Sequence, residues 1–167
     1  SVDPSVKPEQ PIINPEQIIE PQNAFIGRLH GSDFVEISPN AKLKIGENFV
    51  DLENLPTNLK QKIDNLVDGQ EIKIGRNDIT PSDMTISSEH LIIKKENGIL
   101  KIKDISTNGT TVMNSANFIA YKEIQSLKLM NHNFNTPEFT SLETKFLNAS
   151  DNDFVLLNKL MKSNAFD

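Results

Sequence analysis

The stretch EIKIGRNDITPSDMTISSEHLIIKKENGILKIKDISTNGTTV, residues 71–112, decides the fold. Apolar and polar residues alternate along short segments of it, which is typical of half-buried β-strands. Two Asn-Gly pairs, Asn97-Gly98 and Asn108-Gly109, separate such segments. Asn-Gly is a strong hairpin signal because both residues tolerate the positive φ that a tight type I′ turn requires. We therefore predict a β-hairpin at each pair.

The same alternation continues outside this stretch. It marks the segments AFIGRL, DFVEI, KLKIG, NFVDL, QEIKIG, MTISS, HLIIKK, ILKIKD and TTVMN. Many short strands separated by Gly, Pro and Asn predict an all-β fold, an antiparallel sandwich or barrel, and not a parallel nucleotide-binding sheet. One short helix is predicted among the strands near residues 55–67, where apolar residues recur every three to four positions.

The chain divides into a leading tail and one domain. Residues 1–23 contain five prolines, which block helix formation, so we predict an extended tail or linker. Residues 24–167 form the predicted domain, with insertions near 52–69 and 117–150. The last fifty residues leave the choice between strand and helix open. FIAYKEIQSLKLM fits either, the following segment fits a loop with a short helix, and FVLLNKLMK fits a closing strand or a docked helix.

The composition argues against several classes of function. The net charge is −6 and Lys and Arg are not clustered, so we expect no nucleic-acid partner. Cysteine is absent and the three histidines lack ligand spacing, so neither a metal nor another cofactor is expected. No apolar run approaches the roughly 20 residues of a membrane span and no signal peptide opens the chain. We expect no membrane contact and a cytoplasmic location, in a bacterium or, for a secreted effector, in a host cell.

Three short motifs follow one another on consecutive predicted strands. They are IGR at 74–76, SSEH at 87–90 and TNGT at 107–110. Gly-Arg, Ser-x-x-His and Thr-Asn-Gly-Thr in this order resemble the forkhead-associated (FHA) domain family. The resemblance covers about residues 70–116, and its specificity lies in the order and spacing of motifs that are weak one by one.

The resemblance implies a β-sandwich of about eleven strands whose loops at one end bind a phosphothreonine peptide. Transferred residue by residue, the family's binding set becomes Arg76, Ser87, Ser88, Thr107 and Asn108. The residues with an implied structural role are Gly75, His90, Gly109 and Asn114. No catalytic residue is implied.

The chemistry of these side chains suits a phosphate group. A phosphate carries about −1.5 to −2 charges and three strong acceptor oxygens. Arg76 supplies a planar, permanently charged guanidinium, and Ser87 and Thr107 each supply a hydroxyl. Asn108 offers a donor and an acceptor, which suits the backbone of a bound peptide. By the family's pattern, His90 holds the binding loops by hydrogen bonds and is not a catalytic base.

The sequence departs from the family at three places. Ser88 stands where many members have Asn or Arg, and it either reaches less far or adds a hydroxyl to the site. The family's second Asn-Gly is here Asn114-Ser115. The Gly-Asp that usually precedes a late strand is missing, and DNDFVLL at 151–157 is the candidate replacement. These differences leave the peptide preference open.

We predict a phosphothreonine-peptide-binding interaction module in signalling, of open oligomeric state. Its first residue is Ser and not Met, which indicates a part of a larger protein. The alternative is a scaffold of the same fold that binds a partner without phosphate. No enzymatic activity is predicted because Gly-rich phosphate loops, nucleophile elbows and metal-ligand runs are not found. Arg28, in a second IGR segment without a matching Ser-x-x-His, is interpreted as a surface strand residue.

Overall fold

The computed structural model describes residues 17–130, 136–148 and 154–162, so residues 1–16 of the predicted tail lie outside it. The strands are β1 (Gly27–Leu29), β2 (Val35–Ile37), β3 (Lys42–Ile45), β4 (Asn48–Asp51), β5 (Glu71–Ile74), β6 (Leu91–Glu96), β7 (Ile99–Asp104) and β8 (Thr110–Met113). The helices are α1 (Thr57–Asp64), α2 (Arg76–Ile79), α3 (Ser115–Met130), α4 (Pro137–Asn148) and α5 (Phe154–Lys162).

The strands form two antiparallel sheets of four strands each. Their orders are β1–β8–β3–β4 and β2–β7–β6–β5. Along β6 and β7 every second residue is buried, because successive side chains point to opposite faces of a sheet. The buried side chains of both sheets belong to one apolar core, which includes Ile37, Leu43, Ile45, Ile93 and Ile102. The predicted two-sheet antiparallel architecture is confirmed, whereas the predicted count of about eleven strands is not, since the described residues form eight.

The segment MTISS, residues 84–88, is not a strand, and that prediction is wrong. The carboxylate of Asp83 accepts a hydrogen bond from the backbone N–H of Thr85 at 2.9 Å. The backbone carbonyl of Asp83 accepts one from the N–H of Ile86 at 3.2 Å. Short side chains such as Asp offer the backbone local partners that compete with a strand ladder. The segment therefore turns, and Ser87 lies outside the sheet.

Only one of the two Asn-Gly pairs forms a hairpin. Asn97 and Gly98 join the directly paired strands β6 and β7, with φ of 54° and 79°, as a type I′ turn requires. The hairpin predicted at Asn108-Gly109 is wrong, because β7 and β8 belong to different sheets. Gly109 has a φ of 90°, but Asn108 does not have a positive φ. This connection crosses from one sheet to the other.

The helix predicted near 55–67 is α1. Its apolar residues Leu59 and Ile63 are buried in the core, and Leu66 is buried just beyond its end. Their spacing places them on one face of a helix, which explains why this segment does not form a strand. An ion pair between Lys62 and Asp78 at 3.3 Å joins α1 to α2.

In the C-terminal third of the chain, the residues that the structure describes are mostly helical. FIAYKEIQSLKLM lies in α3, the following segment contains the twelve-residue α4, and FVLLNKLMK forms α5. The late strand considered for 151–157 is therefore wrong where the structure describes it, because residues 154–157 belong to α5. These helices replace the last strands that the family resemblance implied.

The helices α3 and α5 form a second apolar cluster on the first sheet. The rings of Phe118 and Tyr121 on α3 lie edge-on to Phe49 of β4, with centroid distances of 5.3 and 5.5 Å. Ile124 of α3 and Leu157 of α5 are fully buried in the same cluster. Phe118, Tyr121 and Ile124 recur every three residues, a helical spacing, and this burial decides the ambiguous segment in favour of helix.

The described end of the predicted tail contacts the second sheet. The N–H of Ile19 donates to the carbonyl of Gly98 at 2.6 Å, and Ile19 forms an isolated parallel bridge with Ile99. Pro21 is buried. Residues 17–21 are thus held against the tip of the β6–β7 hairpin.

Candidate functional site

Three strand ends bring the predicted binding residues to one end of the sandwich. In the second sheet Ile74, Leu91 and Asp104 are neighbours in register, at the end of β5, the start of β6 and the end of β7. Two loops are attached there, the Arg76 loop (residues 75–90) and the Asn108 loop (residues 105–109). Together they carry all five predicted binding residues, Arg76, Ser87, Ser88, Thr107 and Asn108.

The backbone and the Nε of Arg76 are held by hydrogen bonds, whereas its two terminal amino groups are free within the described residues. Its backbone N–H donates to the carbonyl of Ser87 at 3.0 Å, and its Nε donates to the carbonyl of Ile86 at 2.8 Å. In the part of the chain that the structure describes, no carboxylate lies within ion-pair distance of its guanidinium. The two terminal amino groups are therefore available for a bidentate contact with an anion.

Ser87 and Thr107 join the two loops. The Oγ of Ser87 accepts the backbone N–H of Thr107 at 3.1 Å. Because this bond uses a lone pair of the Ser87 oxygen, its O–H remains free to donate. Thr107 is exposed. A cation and two hydroxyls thus come from adjoining segments that are separate in sequence.

Asn108 is anchored from two sides. Its Nδ2 donates to the carbonyl of Thr85 at 3.1 Å, and its own backbone carbonyl accepts Nη2 of Arg28 at 2.8 Å. One N–H of the carboxamide and its Oδ1 remain for a ligand. Asn108 is exposed, so these groups face solvent.

Arg28 is the residue whose role the sequence interpretation missed. It is exposed on β1 opposite Thr111 of β8, and from there it reaches the Asn108 loop. With Lys44 it also lines a cavity of about 190 Å³ beside Asn108. Nothing local in the sequence indicates this contact, because it depends on the pairing of two strands about 80 residues apart.

The buried side chain of His90 connects the two loops by hydrogen bonds. Its side chain is fully buried, its Nδ1 accepts the N–H of Ser87 at 3.0 Å, and its Nε2 lies 3.0 Å from the carbonyl of Gly109. Since Nδ1 acts as an acceptor, the proton is on Nε2, which donates to Gly109. The neutral ring therefore holds one residue of each loop. Burial lowers the pKa of His90, although the bond to Gly109 and the nearby Asp104 act in the opposite direction.

We expect the free energy of unfolding to fall as the pH drops below 6.5, the ordinary pKa of histidine. In this range the unfolded chain binds a proton that buried His90 does not, so acid favours the unfolded state until the pH reaches the lowered pKa. Urea titrations between pH 7.5 and 5.5 measure the slope. His90→Gln removes its contribution and His30→Gln is the control.

An NMR titration of the His90 imidazole checks the same prediction without a substitution. A pKa at or above 6.5 contradicts it. Equal pH slopes in the wild type and in His90→Gln contradict it as well.

Asp104 fixes the conformation of the Asn108 loop. This fully buried carboxylate accepts the hydroxyls of Ser106 at 2.6 Å and Thr110 at 2.8 Å, and the N–H of Gly31 at 3.1 Å. The Oγ of Ser106 in turn accepts the N–H of Gly109 at 2.7 Å. Two of the hydroxyls that crowd the sequence DISTNGTTV thus serve the loop's own structure and are not available to a ligand.

Asp83 fixes the Arg76 loop in a similar way. It accepts hydrogen bonds from the hydroxyl and N–H of Thr85, from the N–H of Glu47 at 3.1 Å and from Nδ2 of Asn48 at 2.6 Å. These bonds, the one from the Thr85 hydroxyl first, lower the pKa of Asp83 to about 2. The loop is therefore tied to the β3–β4 hairpin of the other sheet.

The remaining predicted residues lie in three different settings. Ser88 is exposed. Its backbone carbonyl lies so close to Gly75 that no side chain fits at position 75. Asn114 lies at the far end of β8, away from the two loops. Its Oδ1 accepts the N–H of Asn117 at 2.7 Å, which makes it the N-cap of α3.

The described ranges hold no group of three or more acidic or histidine side chains placed to ligate a metal. None of the helices in these ranges has the length and apolar character needed to cross a membrane.

The comparisons with known proteins identify the segment that contains the two loops. Residues 66–129 match the family model of the FHA domain, which is fewer than half of the 167 residues. The resemblance inferred from the three motifs is thereby confirmed. FHA domains are interaction modules that bind phosphopeptides. No match was found among curated proteins or solved structures.

Proposed function

We propose that this chain, through the FHA-type segment at residues 66–129, binds proteins phosphorylated on threonine. In this proposal the phosphate accepts hydrogen bonds from the guanidinium of Arg76 and from the hydroxyls of Ser87 and Thr107. Asn108 holds the backbone of the bound peptide with its free Oδ1 and its second carboxamide N–H. The activity is recognition without catalysis.

The observation that carries the proposal is that, within the described ranges, the two terminal amino groups of Arg76 are free and lie beside two loops that hydrogen bonds hold in place. A cation without a carboxylate partner, next to hydroxyl donors, is the arrangement that a phosphate requires. The bond from Thr107 to Ser87 and the two bonds of His90 fix both loops before a ligand arrives. Such preorganisation lowers the entropy cost of binding.

The same contacts argue against an enzyme. Both ring nitrogens of His90 are engaged with the backbone, and the ring is buried. A general base must reach the proton that it removes, and His90 does not reach solvent. His90 therefore does not activate the hydroxyl of Ser87, although the two residues are neighbours.

We expect calorimetric titration with a degenerate phosphothreonine peptide pool to give a Kd in the micromolar range, about −8 kcal/mol. Arg76→Ala should weaken binding at least about tenfold, because a hydrogen bond to a charged group contributes about 1.5–3 kcal/mol. Lys159→Ala is the matched control, since it removes an equally positive but exposed side chain from α5.

Pools with phosphoserine and with plain threonine in place of phosphothreonine complete the test. Binding that is equal for phosphorylated and plain pools refutes the proposal and favours a scaffold that binds without phosphate. Equal losses in Arg76→Ala and Lys159→Ala refute the assigned role of Arg76. The phosphoserine pool measures how far the site requires threonine.

A further inference from the structure

A groove lies between α1 and α2, the short helix whose first residue is Arg76. Its volume is about 520 Å³, within the usual range of ligand pockets. It begins at Asn77 and Asp78, the two residues that follow Arg76 in the chain. The other wall is formed by α1 and the two residues that flank it, Pro56 and Asn65.

The lining of this groove is unusually rich in carboxamides. Asn58, Gln61 and Asn65 lie on the α1 side, and Asn77 lies on the α2 side. Among the described residues, none of these four side chains forms a hydrogen bond. Each carboxamide carries both a donor and an acceptor.

The two charged groups of the groove neutralise each other. Lys62 Nζ and a carboxylate oxygen of Asp78 are 3.3 Å apart, across the junction of the two helices. The groove therefore offers no net charge to a second phosphate or to an acidic side chain. Its free polar groups match an uncharged partner that has regularly spaced donors and acceptors, which describes a peptide backbone in extended conformation.

We propose that this groove binds the backbone of the phosphopeptide next to its phosphothreonine, through the carboxamides of Asn58, Gln61 and Asn77. The inference rests on the proposed function, because the phosphate held by Arg76 delivers the peptide to the groove. The eight residues of α1 rise about 12 Å, the length of three to four extended residues. The occupant is thus a flanking segment of about that length.

Backbone recognition determines what kind of partner fits. Affinity depends on the presence of the flanking segment and on its free amide groups, and only weakly on its side chains. This chain then accepts many sequences around the phosphothreonine, provided that about four residues next to it are unfolded.

The test compares a long and a minimal ligand. The long one is a phosphothreonine peptide with four Gly-Ser residues on each side, and the minimal one is phosphothreonine with blocked termini. Displacement of a labelled long peptide measures both affinities, including a weak one. We expect the long peptide to bind about tenfold more tightly, as two or more neutral hydrogen bonds allow.

The triple variant Asn58→Ala, Gln61→Ala, Asn77→Ala should reduce the affinity for the long peptide to that for the minimal ligand, and leave the minimal ligand's affinity unchanged. Lys60→Ala is the matched control, because Lys60 lies on the same helix but does not line the groove. N-methylation of the flanking amides should act like the triple variant, and it requires no change in the protein.

Equal affinities for the two ligands overturn the inference, and so does an equal loss of both in a triple variant that melts like the wild type. An N-methylated peptide that binds as tightly as the unmethylated one also overturns it. If neither ligand binds in a phosphate-dependent way, the proposed function itself fails, and this result is distinct from the other three.

Discussion

A chain that begins at residue 66, and so keeps the whole FHA match, is expected not to fold. The match supplies β5–β8, which are three strands of the second sheet but only one strand of the first. In that sheet β8 lies between β1 and β3, and it loses both neighbours. In the second sheet β7 loses its pairing with β2.

The lost core is as large as the total stability of a typical domain. The missing strands contribute five core side chains that are at most 8% exposed, namely Leu29, Ile37, Leu43, Ile45 and Val50. Burial of each contributes about 1.5–3 kcal/mol, so the loss is roughly 10 kcal/mol. Whole domains are stable by about 5–15 kcal/mol.

Circular dichroism and urea titration of the shortened chain measure this outcome, with the complete chain as the control. Adding residues 17–65 as a separate polypeptide should restore cooperative unfolding, because it returns the absent strands. A cooperative transition in the shortened chain alone contradicts the expectation.

Gly75→Ala is expected to be the most damaging single substitution at the site. The φ of Gly75 is −146°, which any residue adopts, so the glycine is needed for space and not for its backbone angle. An added Cβ lies 1.7 Å from the carbonyl oxygen of Ser88 and 2.5 Å from its carbon. Both contacts are with backbone, and no rotamer change relieves them.

The two ends of the Arg76 loop must separate to admit that methyl group. The bond from the N–H of Arg76 to Ser87 is then lost, and the bond from Ser87 to His90 is strained. We expect a destabilisation of about 3 kcal/mol, at the upper end of overpacking costs. For a chain of this size that corresponds to a fall in Tm of roughly 6–12 °C. Phosphopeptide binding should weaken as well, because Arg76 and Ser87 no longer share one geometry.

Gly69→Ala provides the contrast. Gly69 has a φ of 87° but nothing within 4 Å of an added Cβ, so only backbone strain acts there, about 1 kcal/mol. Thermal unfolding of both variants and titration with the phosphothreonine pool separate the two causes. A Gly75→Ala protein no less stable than Gly69→Ala contradicts the crowding argument.

The sequence could predict part of the site because the residues concerned lie in motifs that follow one another on consecutive predicted strands. Arg76, Ser87 and Asn108 come together because their loops leave neighbouring strand ends, and short alternating segments indicate such strands. The contact of Arg28 was missed for the opposite reason. Its position depends on the pairing of β1 with β8, and alternation does not specify which distant strands pair.

The remaining errors arise where two physical preferences compete. Asn108-Gly109 has the composition of a hairpin, but Asp104 and Ser106 bind the loop internally, and β8 pairs with β1 and β3 and not with β7. FVLLNKLMK is apolar enough for a strand or a helix, and its packing against α3 decides the outcome.

Because β8 lies between β1 and β3, the first sheet cannot be completed until β8 has been synthesised. Ile45 of β3 pairs with Thr110 of β8, some 65 residues later in the chain. At about 5–20 residues per second, the ribosome takes roughly 3–13 s to produce that interval. During this time β1 and β3 exist without the strand that joins them. Such distant pairing is slow to form, so the end of the sandwich that carries the two loops is among the last parts of the nascent protein to become native.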